Sequence, residues 1–501
     1  MSSKINNNQT AFLLKARHMA SWQLNKLAHN SDLPCTATLP ALQRGAVWKP
    51  AQVEALWDSL LRGFPIGAFL LAPYSEERGK QKFIFQKAMD LQDTNNISIY
   101  HLLDGQQRCN AITLGFLNLW QNPGQNVPAA LWVDLVPPEP RDERNFIFRV
   151  VTKSHPWGYR LNTPTKRLEA KHRREALAAY RNANSSASLK SKDSFSPGQI
   201  DLSLVWPWDA KAPVPFPFLI EAVISESQDV WDLLRDKLEK WLAYWSEVEE
   251  LPSLHGNCKN EVEKLLNNPT LHMDSIVEGI RRIEGTAKEM PSVLIPALIL
   301  PKYVVIGQDD FGKIDQEAKE DNPDPSLQQD PIETLFIRVN SAGTPLAGEE
   351  LIYSILKSIW PESQGYVESL SSRFITPARL LMLLSRLILA RTDKGRERAP
   401  APPDVGRFRR LIHVRDSQCP DFRQRLKEFF ETGEAERLLQ SARKLLVGPE
   451  SEKPFLLPPV LAADMARKTP PEAFFFFCYG LIKHSRPASI LRKFALTNTK
   501  G

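Results

Sequence analysis

The sequence has no run of 18 apolar residues. Its greasiest stretch, Leu380–Ala390, is broken by Ser385 and Arg386, so no membrane-spanning helix is expected. The opening MSSKINNNQT has no apolar core ahead of a cleavage site, which argues against a secretory leader. Cysteine is sparse and scattered: Cys35, Cys109, Cys258, Cys419 and Cys478 form no CxxC pair. That excludes a disulfide framework and a cysteine-rich zinc site, and it fits a reducing cytoplasm. No internal repeat recurs at 20–50-residue spacing, which excludes a solenoid.

The chain of 501 residues is 42% hydrophobic and 24% charged, so it is a globular protein rather than a mainly disordered one. At ~150 residues per domain, two to four domains are expected. The net charge of +6 is unevenly spread. From residue 361 onward there are 25 Lys+Arg and 15 Asp+Glu, while the preceding residues hold 39 and 43. The basic excess therefore lies in the C-terminal quarter, where it is either a solvated helical surface or a surface for an anionic partner.

Short strands and helices alternate in the first third. The first clear unit begins near Leu42. Pro50 suits a first helical turn, Val53, Leu56, Trp57, Leu60 and Leu61 recur at helical spacing, and Gly63 ends the helix. Ile66–Ala72, Phe83–Phe85, Ile97–Leu103, Leu131–Val136 and Asn145–Thr152 read as strands, with a helix over Gln106–Trp120. This order predicts a mixed α/β domain. Residues 160–200 are polar and basic, with a loop-like run NANSSASLKSKDSFSPG at 182–198, and residues 218–285 read as helical. Ser292–Ile306 returns to the sheet, 307–330 is an acidic loop, Thr334–Val339 a strand and Gly348–Trp360 a helix. The remainder is mainly helical. The expected division is 1–154 and 291–360 as two parts of one α/β domain, 155–290 as a mostly helical insertion, and 361–501 as a basic helical domain.

Three segments carry chemistry. In HLLDGQQRCNAITLGF, 101–116, a strand runs into Asp104-Gly105 and a helix follows at once. Asp104 suits an N-cap, and Gly105 permits a tight turn or close approach of a ligand. Backbone N–H groups at this helix start, the Gln106 and Gln107 amides and the Arg108 fork suit phosphate. Asp104 repels bare phosphate but could hold a metal ion or orient a water. The plainer reading is a capped helix with polar surface residues, because such short patterns are common. In LQRGAVWKPAQVEALWDSLLRGFPIG, Arg44 is a candidate phosphate clamp, Trp48 a core anchor or a base-stacking ring, and Gly67 a turn or a point of close approach. In TLFIRVNSAGTPLAGEEL, a strand delivers Arg338 and Asn340 into a turn, where Asn340 either serves the turn or binds a ligand.

Together these segments resemble the N-terminal domain of GmrSD-type modification-dependent restriction systems. The resemblance rests on LQRGAVW with EALWDSLLRGFPIG, on DGQQR at Asp104–Arg108, and on FxRxNxxGxxL at Phe336, Arg338, Asn340, Gly343 and Leu346. It covers roughly residues 20–360. It implies a ParB/sulfiredoxin-like fold interrupted by a long insertion and followed by a helical region. It also implies binding and hydrolysis of a nucleoside triphosphate with Mg²⁺ in defence against foreign DNA. Asp104, Gln106, Gln107 and Arg108 would then form the catalytic centre, with Asp104 the metal ligand, and Arg44, Gly105, Arg338 and Asn340 would bind nucleotide. Many relatives carry a C-terminal HNH nuclease. Here only His413 and His484 follow residue 360, neither in an HNH-like setting, so the resemblance leaves room for a separate nuclease subunit.

Residues 141–174 hold ten Lys+Arg and three Asp+Glu among Phe146, Phe148, Trp157 and Tyr159. Arg149, Lys153 and Arg160 are the candidate nucleic-acid contacts there, with a charged sheet edge as the alternative. Cys109 follows DGQQR directly. A thiol role is conceivable by analogy with sulfiredoxin chemistry, but helix packing explains a lone cysteine more simply. Three other readings of the chain stay open: a non-catalytic DNA-binding module, an assembly subunit, and a nicking nuclease using the Asp104 centre.

Overall fold

The structure is a computed structural model that describes residues 10–24, 33–40, 48–74, 83, 98–119, 129–140, 142–153, 155–160, 163–183, 202–225, 229–246, 253–287, 290–301, 348–360, 362–371, 375–392, 400–413, 416–447, 475, 478 and 479. These fall into two compact units, 10–301 and 348–479. The fold is mixed α/β with a helical C-terminal region, as the sequence predicts.

The first unit opens earlier than the sequence pattern indicates. Strand β1 (Ala11–Leu14), helix α1 (Ala16–Ser21) and strand β2 (Thr36–Thr38) all precede Leu42. Helix α2 (Pro50–Arg62) follows, then β3 (Phe69–Pro73), β4 (Ile99–Asp104), α3 (Gln106–Phe116), β5 (Ala129–Asp134) and β6 (Phe148–Thr152). The polar, basic stretch that follows holds a hairpin, β7 (Tyr159–Arg160) with β8 (Thr163–Arg167), and helix α4 (Ala170–Ala183), while the loop-like run lies outside the described residues from 184 onward. Next come β9 (Pro213–Pro215) and helices α5 (Phe216–Ile224), α6 (Val230–Ser246), α7 (Ser253–Asn267) and α8 (Leu271–Glu284), which agree with the helical reading. Strand β10 (Ile295–Ile299) then returns to the first sheet.

That sheet has the order β1-β10-β3-β4-β2, with β10–β3 and β4–β2 parallel and the other two pairs antiparallel. A second, antiparallel sheet has the order β6-β5-β9. Helix α2 links the two. Its apolar face buries Leu56, Trp57, Leu60 and Leu61, and Trp57 Nε1 donates to the Ala111 carbonyl of α3 at 2.8 Å. Gly115 of α3 makes this approach possible, because a Cβ there would stand 2.1 Å from the Trp57 ring.

On its other side α2 serves β6 with two carboxylates one turn apart. Glu54 Oε1 accepts the Val150 N–H at 3.0 Å, and Asp58 Oδ1 accepts the Asn145 and Phe146 N–H groups at 3.0 and 2.9 Å. β6 is an edge strand of the described sheet, whose outer N–H groups need acceptors once a helix covers them. This explains two acids, 3% and 5% exposed, beside an apolar stripe.

The second unit is helical: α9 (Gly348–Ile359), α10 (Ser363–Ser371), α11 (Pro377–Thr392), α12 (Val405–Ile412), α13 (Phe422–Glu431) and α14 (Glu434–Val447). Its core joins Ile352 and Leu356 of α9 to Leu380, Leu384, Leu387, Phe408 and Phe422. Helix α9, which the sequence reading groups with the sheet domain, thus packs among the C-terminal helices. Of the four aromatics at 474–477, Phe475 is buried beneath the Arg386 guanidinium, 4.2 Å from ring centre to Cζ. The other three lie outside the described residues.

Candidate functional site

The DGQQR segment turns a sheet strand directly into a helix. Asp104 is the last residue of β4, and Gly105, not Asp104, is the N-cap of α3. The chain can reverse so sharply because Gly105 adopts φ +101°, a region that costs a side-chain-bearing residue dearly. A Cβ at Gly105 would also stand 2.3 Å from the Phe69 ring. The Asp104 carboxylate is thereby freed from capping. β3 meets β4 with a register irregularity between Leu70 and Leu71, where Leu70 faces Asp104. Such an irregularity at a strand end re-aims side chains.

Arg108 lies one turn into α3. Its Nη2 pairs with Asp104 Oδ2 at 2.8 Å and its Nη1 donates to the Ile66 carbonyl at 2.9 Å. The guanidinium covers the Phe69 ring at 4.7 Å. Gly67, at φ +85°, passes so near that a Cβ would stand 2.7 Å from Nη1. Of the two sequence readings of Gly67, the close approach is the one seen, made by the Arg108 side chain. The Asp104 side chain is 37% exposed against 17% for Arg108, so the carboxylate fronts the pair.

The two glutamines differ. Gln107 Oε1 accepts the Trp48 backbone N–H at 3.4 Å, tying α3 to the residues before α2. Gln106 is buried, and its Oε1 has no hydrogen-bond partner among the described residues. Trp48 packs against the core, which favours its anchoring role. Cys109 is fully buried between α1 and α3. Gln23 Nε2 donates to its Sγ at 3.4 Å, and burial pushes its thiol up to about 12. A thiol of that kind stays protonated at neutral pH, so packing accounts for it. Arg44, Arg338 and Asn340 lie outside the described residues, as do the expected strand at 334–339 and His484. Asp104, Gly105, Gln106, Gln107 and Arg108 are brought together as one corner.

The basic segment 141–174 is less open than its sequence implies. Phe146, Phe148 and Trp157 are buried, so they form core and not a stacking platform. Arg149 corrects the sequence reading. It is 1% exposed, its Nη2 donates to the Tyr159 carbonyl, and burial lowers its pKa against the pull of Glu54, Asp209 and Asp134. A guanidinium so enclosed cannot contact a nucleic-acid strand. Lys153 is half-buried in a turn. Arg160 is partly exposed but engaged, with Nε donating to the Arg167 carbonyl at 3.1 Å and Nη2 pairing with Glu169 at 3.3 Å. Trp206 and Trp208 are buried and stacked, centroids 6.3 Å apart, and anchor their loop in the core.

In the helical unit three of the described arginines pair with acids. Arg391 makes a two-point contact with Glu434, Arg407 pairs with Asp416 at 3.4 Å, and Arg425 pairs with Asp421 at 3.5 Å. His413 closes α12. No group of three or more His, Cys, Asp and Glu among the described residues could hold a metal ion by itself. No described helix is long and apolar enough to cross a membrane.

The fold and this corner define a mixed α/β protein built around a strand–glycine–helix turn with a paired Asp and Arg. The profile of the GmrSD restriction endonuclease N-terminal domain matches residues 24–357. The match covers well over half of the chain, which therefore belongs to that family of restriction components. No curated protein matches it.

Proposed function

We propose that this chain is the nucleotide-hydrolysing component of a DNA restriction system, acting at the Asp104–Arg108 corner. The observation that carries the reading is the half-exposed Asp104 carboxylate, fixed by Arg108 at the start of α3 with Gln106 and Gln107 beside it. The α3 N-terminus favours anionic phosphate, and the part-exposed Gln107 amide is the neutral donor proposed for it, with the buried Gln106 shaping the corner from beneath. Asp104 offers a Mg²⁺ ion one carboxylate. That suits a cation which takes few protein ligands and fills its sphere with water and substrate phosphate oxygens. When bound, Mg²⁺ would supply charge neutralisation on the phosphates. Asp104 orients the attacking water. The water oxygen bonds to the terminal phosphorus as the bond to the bridging oxygen breaks and a water proton is released to solvent, giving nucleoside diphosphate and inorganic phosphate. Catalysis here is positioning plus neutralisation of charge. Arg44, Arg338 and Asn340 are the proposed further nucleotide contacts, and DNA the proposed macromolecular partner. The test is phosphate release from each of the four NTPs with Mg²⁺, with and without DNA, beside Asp104→Asn.

A further inference from the structure

We infer that Arg108 works as a positioning residue, aiming the Asp104 carboxylate rather than binding phosphate. The inference rests on the nucleotide-hydrolysing reading above and changes the part that one residue plays in it.

A guanidinium offers five N–H groups in one plane and two flat faces. In Arg108 two of those N–H groups and one face are taken. Nη2 holds Asp104 Oδ2 at 2.8 Å, Nη1 holds the Ile66 carbonyl at 2.9 Å, and one face lies over the Phe69 ring at 4.7 Å. Gly67 closes in beside Nη1. The side chain is 17% exposed and sits behind a carboxylate that is 37% exposed. A phosphate binding Arg108 would either break this charge-assisted pair or sit beside the Asp104 carboxylate that Nη2 holds, and either arrangement opposes binding.

Asp104, by contrast, has only Oδ2 engaged among the described residues. Its Oδ1 is the atom left to work on water or metal. Arg108 joins that carboxylate to the Ile66 backbone just before β3. Gly67 belongs to this device without being part of the site. A methyl group there would collide with Arg108 Nη1, and the backbone at Gly67 holds a positive φ that a side-chain-bearing residue adopts only with strain.

The experiment uses the full chain and a mant-labelled form of the NTP that the wild type hydrolyses fastest. Equilibrium Kd and kcat are measured for wild type, Arg108→Ala, Arg108→Lys and Gly67→Ala, each checked for folding by tryptophan fluorescence. Misaiming a reacting group by about 1 Å costs on the order of 100-fold, so Arg108→Ala and Gly67→Ala should each lose about that much kcat. Their Kd should shift less than about 3-fold, the signature of an interaction used only in the chemical step. Arg108→Lys keeps a cation beside Asp104 but cannot hold Ile66 at the same time, so it should recover part of the loss. Loss of a phosphate ligand would instead weaken Kd by roughly 10–100-fold. That result in Arg108→Ala, with Gly67→Ala unaffected, overturns the inference and leaves the nucleotide reading standing. A wild type that neither binds nor hydrolyses any NTP overturns the reading itself and this inference with it. Should Arg108→Ala fail to fold, Arg108→Lys and Gly67→Ala decide between the same outcomes.

Discussion

Replacing Glu54 with glutamine should raise stability at alkaline pH and do little at acid pH. Glu54 sits on α2, 3% exposed, with Oε1 on the Val150 N–H and Oε2 lacking a hydrogen-bond partner. Burial pushes its carboxyl up from 4.5 to about 7, against the opposing pull of Arg149, the Val150 N–H and Arg144. A carboxyl that holds its proton more tightly when folded favours the folded state below its unfolded pKa. That advantage fades as pH rises through 4.5 toward 7 and is gone above the folded value. At 1.36 kcal/mol per pKa unit, the full window is worth about 3 kcal/mol, most of it between pH 5 and pH 8. Glu54→Gln keeps an acceptor for Val150 and never ionises. Its stability relative to wild type should therefore improve by about 2–3 kcal/mol from pH 5 to pH 8. With a urea slope of ~3 kcal/mol/M, the midpoint gap shifts by nearly 1 M. Tryptophan fluorescence reports it, since Trp57, Trp132 and Trp157 are buried in the same core. A gap that stays constant between the two pH values would refute the reasoning.

Three further outcomes follow from the packing. Asp58→Ala strips acceptors from the Asn145 and Phe146 N–H groups, so urea unfolding of the sheet-bearing unit should lose roughly 3 kcal/mol, and a loss under ~0.5 kcal/mol would contradict the edge-strand argument. Gly105→Ala meets both a positive φ and the Phe69 ring, and thermal unfolding should show a loss of at least ~2 kcal/mol. Burial pushes Cys35, Cys109 and Cys258 up to about 12, so Ellman's reagent at pH 8 should leave all three unmodified until denaturant is added.

The periodic elements were legible because their pattern is local. Helix α2 announces itself by Val53, Leu56, Trp57, Leu60 and Leu61, and the strand–glycine–helix turn by DGQQR. Elements of three to six residues, such as β1, α1 and β2, are too short for a period to emerge. Helix α4 was hidden by its polar composition, AKHRREALAAYRNA. The N-cap was misassigned because aspartate caps well on average, whereas here the turn needs a left-handed residue and only Gly105 supplies one. The braces of the site were invisible for another reason. Ile66 contributes a backbone carbonyl, which every residue has, and Phe69 a ring face set by tertiary packing. Glu54 and Asp58 did leave a trace, as two acids one turn apart beside the apolar stripe of α2. Their partners on and just before β6 lie nearly a hundred residues away.

The most direct test of the central claim is phosphate release by the full chain with each of the four NTPs and Mg²⁺, with and without DNA, beside Asp104→Asn. That variant is nearly isosteric and removes only the carboxylate charge. The account predicts turnover by wild type with at least one NTP and its loss in a folded Asp104→Asn. Undiminished turnover in that variant, or none by wild type under any of these conditions, would contradict it.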